Sequence, residues 1–288
     1  MKKLISLIVA VVMVMAFAVM GTACKKNTDD KATIQQTGVI KIGMECNYKP
    51  FNWTQLDDSN GAVPISNVAN KYANGYDVMI AKKIAEGLGV QLQVVMLEWN
   101  ALVESLNSGL IDGIIAGMSP TAERKLVNDF SNPYYSSNLV VMCKAGSEIA
   151  NATNLADLNQ AKYKIAAQTG TFHYTALSKQ LDKVQSSRVE DFAIMHTQLD
   201  SGLIDGYIAE QPTALTYCSN STEYAYVALK NNDTGFTVTD DDVAISVGLR
   251  KGSNLLSEIN EILAGITTAE RDAIMNNAIT WQANGIDD

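Results

Sequence analysis

Arg124 and Glu210 are the two residues whose types and places could hold a charged ligand. Both are tied to a stretch that occurs twice. Residues 106–121 read LNSGLIDGIIAGMSPT, and residues 199–213 read LDSGLIDGYIAEQPT. The shared core S-G-L-I-D-G runs in both copies into a strand-like segment and a polar turn with a proline. The copies differ at their ends, with Gly117, Ser119 and then Arg124 on one side and Glu210 on the other. A guanidinium offers a planar fork matched to a carboxylate. Ser119 or Thr121 can cap a helix whose first turn holds Arg124. Such a helix start adds free N–H groups and a favourable dipole for the same anion. A carboxylate at Glu210 suits an ammonium group. The pattern points to a site with a cationic side and an anionic side. Taken alone, Arg124 fits equally an exposed arginine paired with Glu123 or Asp129, and Glu210 a solvated loop carboxylate.

Glu45, Tyr48, Phe51, Trp53 and Trp99 fall at other expected strand ends. Aromatic residues there often cap a core or pack a hinge, and Tyr48 and Trp99 are the pair expected to touch a ligand. His173 and His196 are too few and too scattered for a metal centre, and read as surface or partly packed residues. Cys46, Cys143 and Cys218 match no metal or disulfide spacing, so their pairing stays open. Glycines 109, 113, 202 and 206 mark helix ends and turns. No GxGxxG, P-loop, HExxH or GxSxG is present, and no cofactor is expected.

These residues need a scaffold. The spacing predicts strands at 39–44, 90–97, 163–168, 187–191, 206–209 and 243–249, and an extended run at 138–144. It predicts helices from Asp77, as N-cap, to Gly87 or Gly89, then at 99–106, 155–158, 172–181, 193–199, 211–217, 254–266 and 268–277. Residues 128–138 read as loop, with a first crossing between lobes near 136–140 and a return near 243–249. Strands alternating with helices imply an α/β fold with parallel sheets, which binds ligands beyond the carboxyl ends of its strands.

The chain has 288 residues, enough for two ordinary domains, with 47% hydrophobic and 18% charged residues. Lys2 and Lys3 precede an apolar run ending in small residues and Cys24, which reads as a secretory signal over 1–23, with an uncleaved transmembrane anchor as the alternative because the run is long. The polar residues 24–38 read as a flexible tether. The formal charge of −9 argues against nucleic acid as a partner.

Gly21-Thr22-Ala23-Cys24 resembles a bacterial lipobox, although Gly21 stands where the motif usually has Leu. That resemblance implies lipidation of Cys24, a membrane anchor and a place on the extracytoplasmic face of the cell membrane. The mature chain resembles the extracellular solute-binding proteins of polar amino-acid ABC transporters. The matching marks are GMECNYKPFNW (43–53), NGYDVMIAKKIAEGLG (74–89), GMSPTAERKLVNDFSNPYY (117–135), AAQTGT (166–171), SGLIDGYIAEQPTA (201–214) and VGLRKGSNLL (247–256). The resemblance implies a two-lobe, type II periplasmic-binding-protein-like fold, with a ligand cleft between lobes joined by two crossing strands. Lobe 1 is expected over 39–136 and 243–288, and lobe 2 over 137–242. The implied ligand is a free amino acid, polar or cationic, handed to an ABC permease by a monomer. By position, Arg124, Ser119, Thr121 and Thr171 would hold its carboxylate, and Glu210 with Gly117 its amino group. Tyr48, Trp99 and Phe172 would line the side-chain pocket, with Glu45 near its end. Many relatives have Asp at the place of Glu210, and the segment 63–73 is longer than usual. The alternatives are an enzyme of the cyclohexadienyl dehydratase type on the same fold, or a solute-sensing or adhesin binding protein.

Overall fold

The computed structural model describes residues 29–219 and 221–283. The signal segment, Cys24 and its lipidation lie outside the described residues. Two five-stranded sheets carry the two lobes. In the first, the order is Gln91–Met96, Val39–Met44, Gly113–Ile114, Gly248–Arg250 and Asn128–Phe130. In the second, it is Gln185–Val189, Lys164–Gln168, Gly206–Glu210, Leu139–Lys144 and Tyr224–Val227. The strands that follow the repeated sequence, Gly113–Ile114 and Gly206–Glu210, occupy the same third place in each sheet. The repeat thus marks one structural position used twice.

The sheets are mixed rather than wholly parallel. In each, three strands run parallel. A fourth, Gly248–Arg250 or Leu139–Lys144, enters antiparallel after the chain has crossed from the other lobe. Both crossings meet in a two-stranded ribbon, where Tyr135–Ser136 pairs antiparallel with Ala244–Ile245. Residues 128–138 are therefore not simply loop. They hold an edge strand of the first sheet and one side of the hinge. The segment 63–73 contributes to a separate four-stranded sheet on the first lobe, ordered Asn47–Tyr48, Asn52–Gln55, Tyr72–Asn74 and Val63–Pro64.

Two further expectations are corrected. Within the stretch read as a flexible tether, Asp30–Thr37 forms a helix capped by Asp29. Its polar sequence gives little reason for this, and tertiary contacts supply it. Buried Asp30 accepts from Arg250 at 2.8 Å and from Ser253 at 2.6 Å, and Lys31 pairs with Glu258. Asp77 is not an N-cap: helix Tyr76–Gly87 starts after Gly75. The Asp77 carboxylate is fully buried and takes hydrogen bonds from Asn52 Nδ2 at 2.8 Å and the Tyr134 hydroxyl at 2.7 Å. It has no freedom left to fold back onto its own helix.

The helices cover the sheets in the usual amphipathic way. In Tyr76–Gly87, Val78, Ile80, Ala81 and Ile84 are buried at helical spacing. The terminal helix Thr268–Ala283 packs on both helix Tyr76–Gly87 of the first lobe and helix Gln211–Cys218 of the second. Among the described residues, no helix is long and apolar enough to cross a membrane.

Candidate functional site

The polar turn after the first repeated strand faces, across the lobes, the turn after strand Lys164–Gln168, where Arg124 meets the Gly170 carbonyl. Thr121 caps helix Ala122–Val127, its hydroxyl accepting from the Arg124 N–H at 3.4 Å. Thr171 does the same for helix Phe172–Gln180 in the second lobe, accepting from the Tyr174 N–H at 3.3 Å. Two threonine-capped helix starts thus converge on one space, each with unpaired N–H groups suited to an anion.

Arg124 projects from the first of these starts into the cleft. Nη1 donates to the Ser119 carbonyl at 2.8 Å, and Nη2 crosses to the Gly170 carbonyl of the second lobe at 3.1 Å. The guanidinium lies 5.1 Å from the ring centroid of Trp99, within cation–π reach. The Trp99 indole N–H donates to the same Gly170 carbonyl, also at 3.1 Å. Burial pulls the arginine down to about 10, still charged at neutral pH. No carboxylate of the chain lies within ion-pair distance of it among the described residues, so its two forks end on carbonyls. Gly170 must be glycine for two reasons: its φ is +75°, and a Cβ would sit 2.7 Å from Asn100 Oδ1.

The aromatic wall is continuous across the lobes. Tyr48 stacks on Phe192 of the second lobe with centroids 4.0 Å apart, and on Phe51 at 5.0 Å. Its hydroxyl is buried without a hydrogen-bond partner. Gly117, at φ +62°, lies against this ring: a Cβ there would meet Tyr48 Cε1 at 2.8 Å.

Two carboxyl groups are enclosed nearby. Glu45 accepts from Gln168 Nε2 at 2.7 Å, a contact from lobe to lobe. Burial pushes it up to about 8, with the Gln168 hydrogen bond opposing. Glu210, the last residue of its strand, is also pushed up to about 8 by burial. Its Oε1 lies 3.0 Å from His173 Nε2, and burial with the nearby Arg124 charge drives that imidazole down to about 3. The close approach is therefore a contact between neutral groups rather than an ion pair.

Of the residues singled out in the sequence, Tyr48, Trp99, Gly117, Ser119, Arg124, Thr171 and Phe172 line one small cavity of ≈ 10 Å³. That volume holds about one water. Thr121 instead faces an outer groove of ≈ 630 Å³, which shares Arg124, Thr171 and Phe172 with the cavity. Ser119 Oγ is engaged by the Asp242 carbonyl at 2.9 Å, and Thr171 Oγ1 by the Gln168 carbonyl at 2.6 Å. Their hydroxyls shape the turns. Glu210 stands behind His173 and does not line the cavity. Sequence reasoning missed Gln168, His173 and Phe192. Gln168 sits inside the quoted AAQTGT, and the other two gave no signal beyond following a turn.

Comparison with known proteins adds the following. The family model described as bacterial extracellular solute-binding proteins, family 3, matches residues 40–279. A probable histidine-binding protein of Campylobacter jejuni is 31% identical over 226 residues, covering 77% of this chain and 79% of that protein. The arginine-binding extracellular protein ArtP of Bacillus subtilis is 26% identical over 271 residues, covering 91% and 92%. The crystal structure of an amino acid ABC transporter substrate-binding protein from Streptococcus pneumoniae, bound to L-arginine, superimposes with a TM-score of 0.77. It is 26% identical and covers 88% of this chain and 98% of its own.

Proposed function

The chain belongs to the bacterial extracellular solute-binding proteins of family 3, and from that premise we propose that it captures a free amino acid between its lobes and delivers it to an ABC permease. The observation that carries this reading is Arg124. It is a charged guanidinium in a cleft between two capped helix starts, with carbonyls as its hydrogen-bond acceptors. A ligand carboxylate would replace those carbonyls with a charge-matched, two-pronged partner. The named functions of the relatives support the same ligand class.

Ligand entry requires the lobes to part, since ≈ 10 Å³ does not admit an amino acid. The hinge ribbon 135–136 with 244–245 is where the backbone can rotate. Ligand contacts to both walls then favour closure. A cationic side chain is the favoured choice. Glu45 is buried beside the Tyr48 wall, and an arriving cation would return its carboxyl to the ionised form. Tyr48, Trp99 and Phe172 would pack the ligand's apolar atoms. Ser119, Thr121 and Thr171 would set the turns whose N–H groups meet the carboxylate, and Gly117 and Glu210 would meet the amino group.

No bond is made or broken in this cycle, so the protein is read as a receptor, not an enzyme. It acts as a monomer, with 39–136 and 243–288 as one lobe and 137–242 as the other. Cys24 carries the lipid that holds it at the extracytoplasmic face of the membrane. A thermal-shift screen of the twenty amino acids tests the reading. At about 100 times Kd a ligand adds about 2.7 kcal/mol of stability. A screen in which none raises the melting temperature would overturn it.

A further inference from the structure

His173, not Glu210, is the group that meets the cavity. The imidazole lines it together with Arg124, Trp99 and Phe192. Its Nε2 lies 3.0 Å from Glu210 Oε1, and both residues are buried, at 6% and 5% exposure. The contact lacks hydrogen-bond geometry: His173 Nδ1, His173 Nε2 and Glu210 Oε2 have no hydrogen-bond partner in the described structure. Buried polar atoms are nearly always partnered, because leaving one bare forfeits its hydration with nothing in return. Three adjacent bare atoms beside a ligand cavity mark hydrogen-bonding capacity held for something that enters.

The surroundings determine what that can be. Arg124 faces the imidazole from the first lobe and, with burial, keeps it neutral; a ligand carboxylate held on Arg124 would offset that charge as the ammonium comes in. Glu45, the other buried carboxyl near the cavity, is engaged by Gln168. Phe192 packs edge-on against the imidazole, with centroids 5.9 Å apart. A neutral imidazole has one N–H and one bare nitrogen, and the bare nitrogen accepts. A primary ammonium carries three donors and needs more acceptors than one carboxylate oxygen.

We propose that His173 is a second acceptor for the ligand's primary ammonium group, taking one N–H on its bare ring nitrogen while a Glu210 oxygen takes another. The proposal rests on the amino-acid reading above and adds to it a residue that sets specificity on the amino side. The site selects for an unsubstituted ammonium. A ligand dimethylated on its α-nitrogen keeps a single N–H and leaves one of these acceptors bare again.

The test uses the free amino acids that carry a primary ammonium and their Nα,Nα-dimethyl derivatives, measured by calorimetry against the wild type and His173→Phe. Phenylalanine keeps a ring of similar volume and removes both nitrogens. The wild type should prefer the free amino acid over its dimethylated form by about tenfold or more. His173→Phe should weaken the free form about tenfold and the dimethylated form less than about threefold, so that the preference collapses. His173→Gln, which restores an acceptor, should recover part of it. Equal weakening of both forms, or no change in either, would overturn the proposal. A second measurement needs no variant: the His173 ring nitrogen resonances should move when a free amino acid is added, and static resonances would also overturn it. If no panel member binds the wild type, the amino-acid reading itself fails, and the proposal with it.

Discussion

Gln168 Nε2 of the second lobe donates to Glu45 Oε1 of the first at 2.7 Å, while also donating to the Glu190 carbonyl at 2.8 Å. One amide thus ties the wall of the cleft to its own lobe and to the opposite one. Both partners are buried. The bond forms only when the lobes meet, so it contributes to the closed state alone. Gln168→Ala should therefore loosen ligand binding by about three- to tenfold, the worth of one buried hydrogen bond. The loss should fall mainly on the dissociation rate measured by stopped flow. An unchanged dissociation rate would remove the bond from the closing machinery.

Arg124 carries the largest expected single effect. Removing one side of a desolvated charge pair costs about 2–5 kcal/mol. Arg124→Ala should raise Kd at least about 30-fold by calorimetry. Its far-UV spectrum and unfolding midpoint should stay near those of the wild type, because Arg124 holds two carbonyls and the Trp99 ring and, among the described residues, no carboxylate. Arg124→Lys should recover part of the affinity, since the charge returns without the fork. Normal binding by the alanine variant would move the carboxylate site elsewhere.

The buried titrating groups give the protein a predictable pH profile. Glu45 and Glu210 are both raised by burial to about 8 from 4.5, so the folded protein keeps protons that the unfolded chain releases. Each contributes stability that is lost as pH rises from about 4.5 toward 8. His173 is lowered to about 3 from 6.5, so it acts oppositely, and only below about pH 6.5. Asp77, raised to about 6, also titrates below that point. Between pH 6.5 and 8 the two glutamates are the groups among these four that titrate, and urea-unfolding stability without ligand should fall. The slope is at most about 1.4 kcal/mol per pH unit for each carboxyl. Glu45→Gln should make the decline shallower. A stability that stays flat across this window would mean that both carboxyls are already ionised in the folded state.

Gly117 tests the fit of the aromatic wall. An alanine there must take a left-handed conformation and place its Cβ 2.8 Å from Tyr48 Cε1. The backbone strain alone costs about 1–3 kcal/mol. Gly117→Ala should lower the melting temperature and also weaken binding, because Tyr48 cannot yield without losing its stack on Phe192. Gly109→Ala is the control. It shares the positive φ but has nothing within 4 Å of the added Cβ. It should lose stability and leave affinity intact.

Much of the fold was legible because its signals are local. The alternation in 39–44 and the turn residues around 155–158 delivered Val39–Met44 and Leu155–Leu158 as found. The helix Asp30–Thr37 was not legible: its partners Arg250, Ser253 and Glu258 lie more than two hundred positions away in the chain. Strand Tyr224–Val227 was also passed over. It is a four-residue edge strand, three of whose residues are only half-buried, so alternation is absent. The site divides along the same line. Arg124, Trp99 and Tyr48 announce themselves by residue type at strand ends. Gln168, His173 and Phe192 acquire their roles only because a second lobe closes onto them, which no spacing within one lobe can encode.

The terminal helix Thr268–Ala283 has a mechanical consequence. Two backbone crossings alone let a lobe swing and also twist about the line that joins them. A helix seated on Tyr76–Gly87 of one lobe and Gln211–Cys218 of the other adds a third bearing away from that line. Twist is then resisted, and the remaining travel is a single swing whose amplitude is set by how far the helix can slide on its second seat. The helix Thr268–Ala283 thereby acts as the guide rail and end-stop of the jaw.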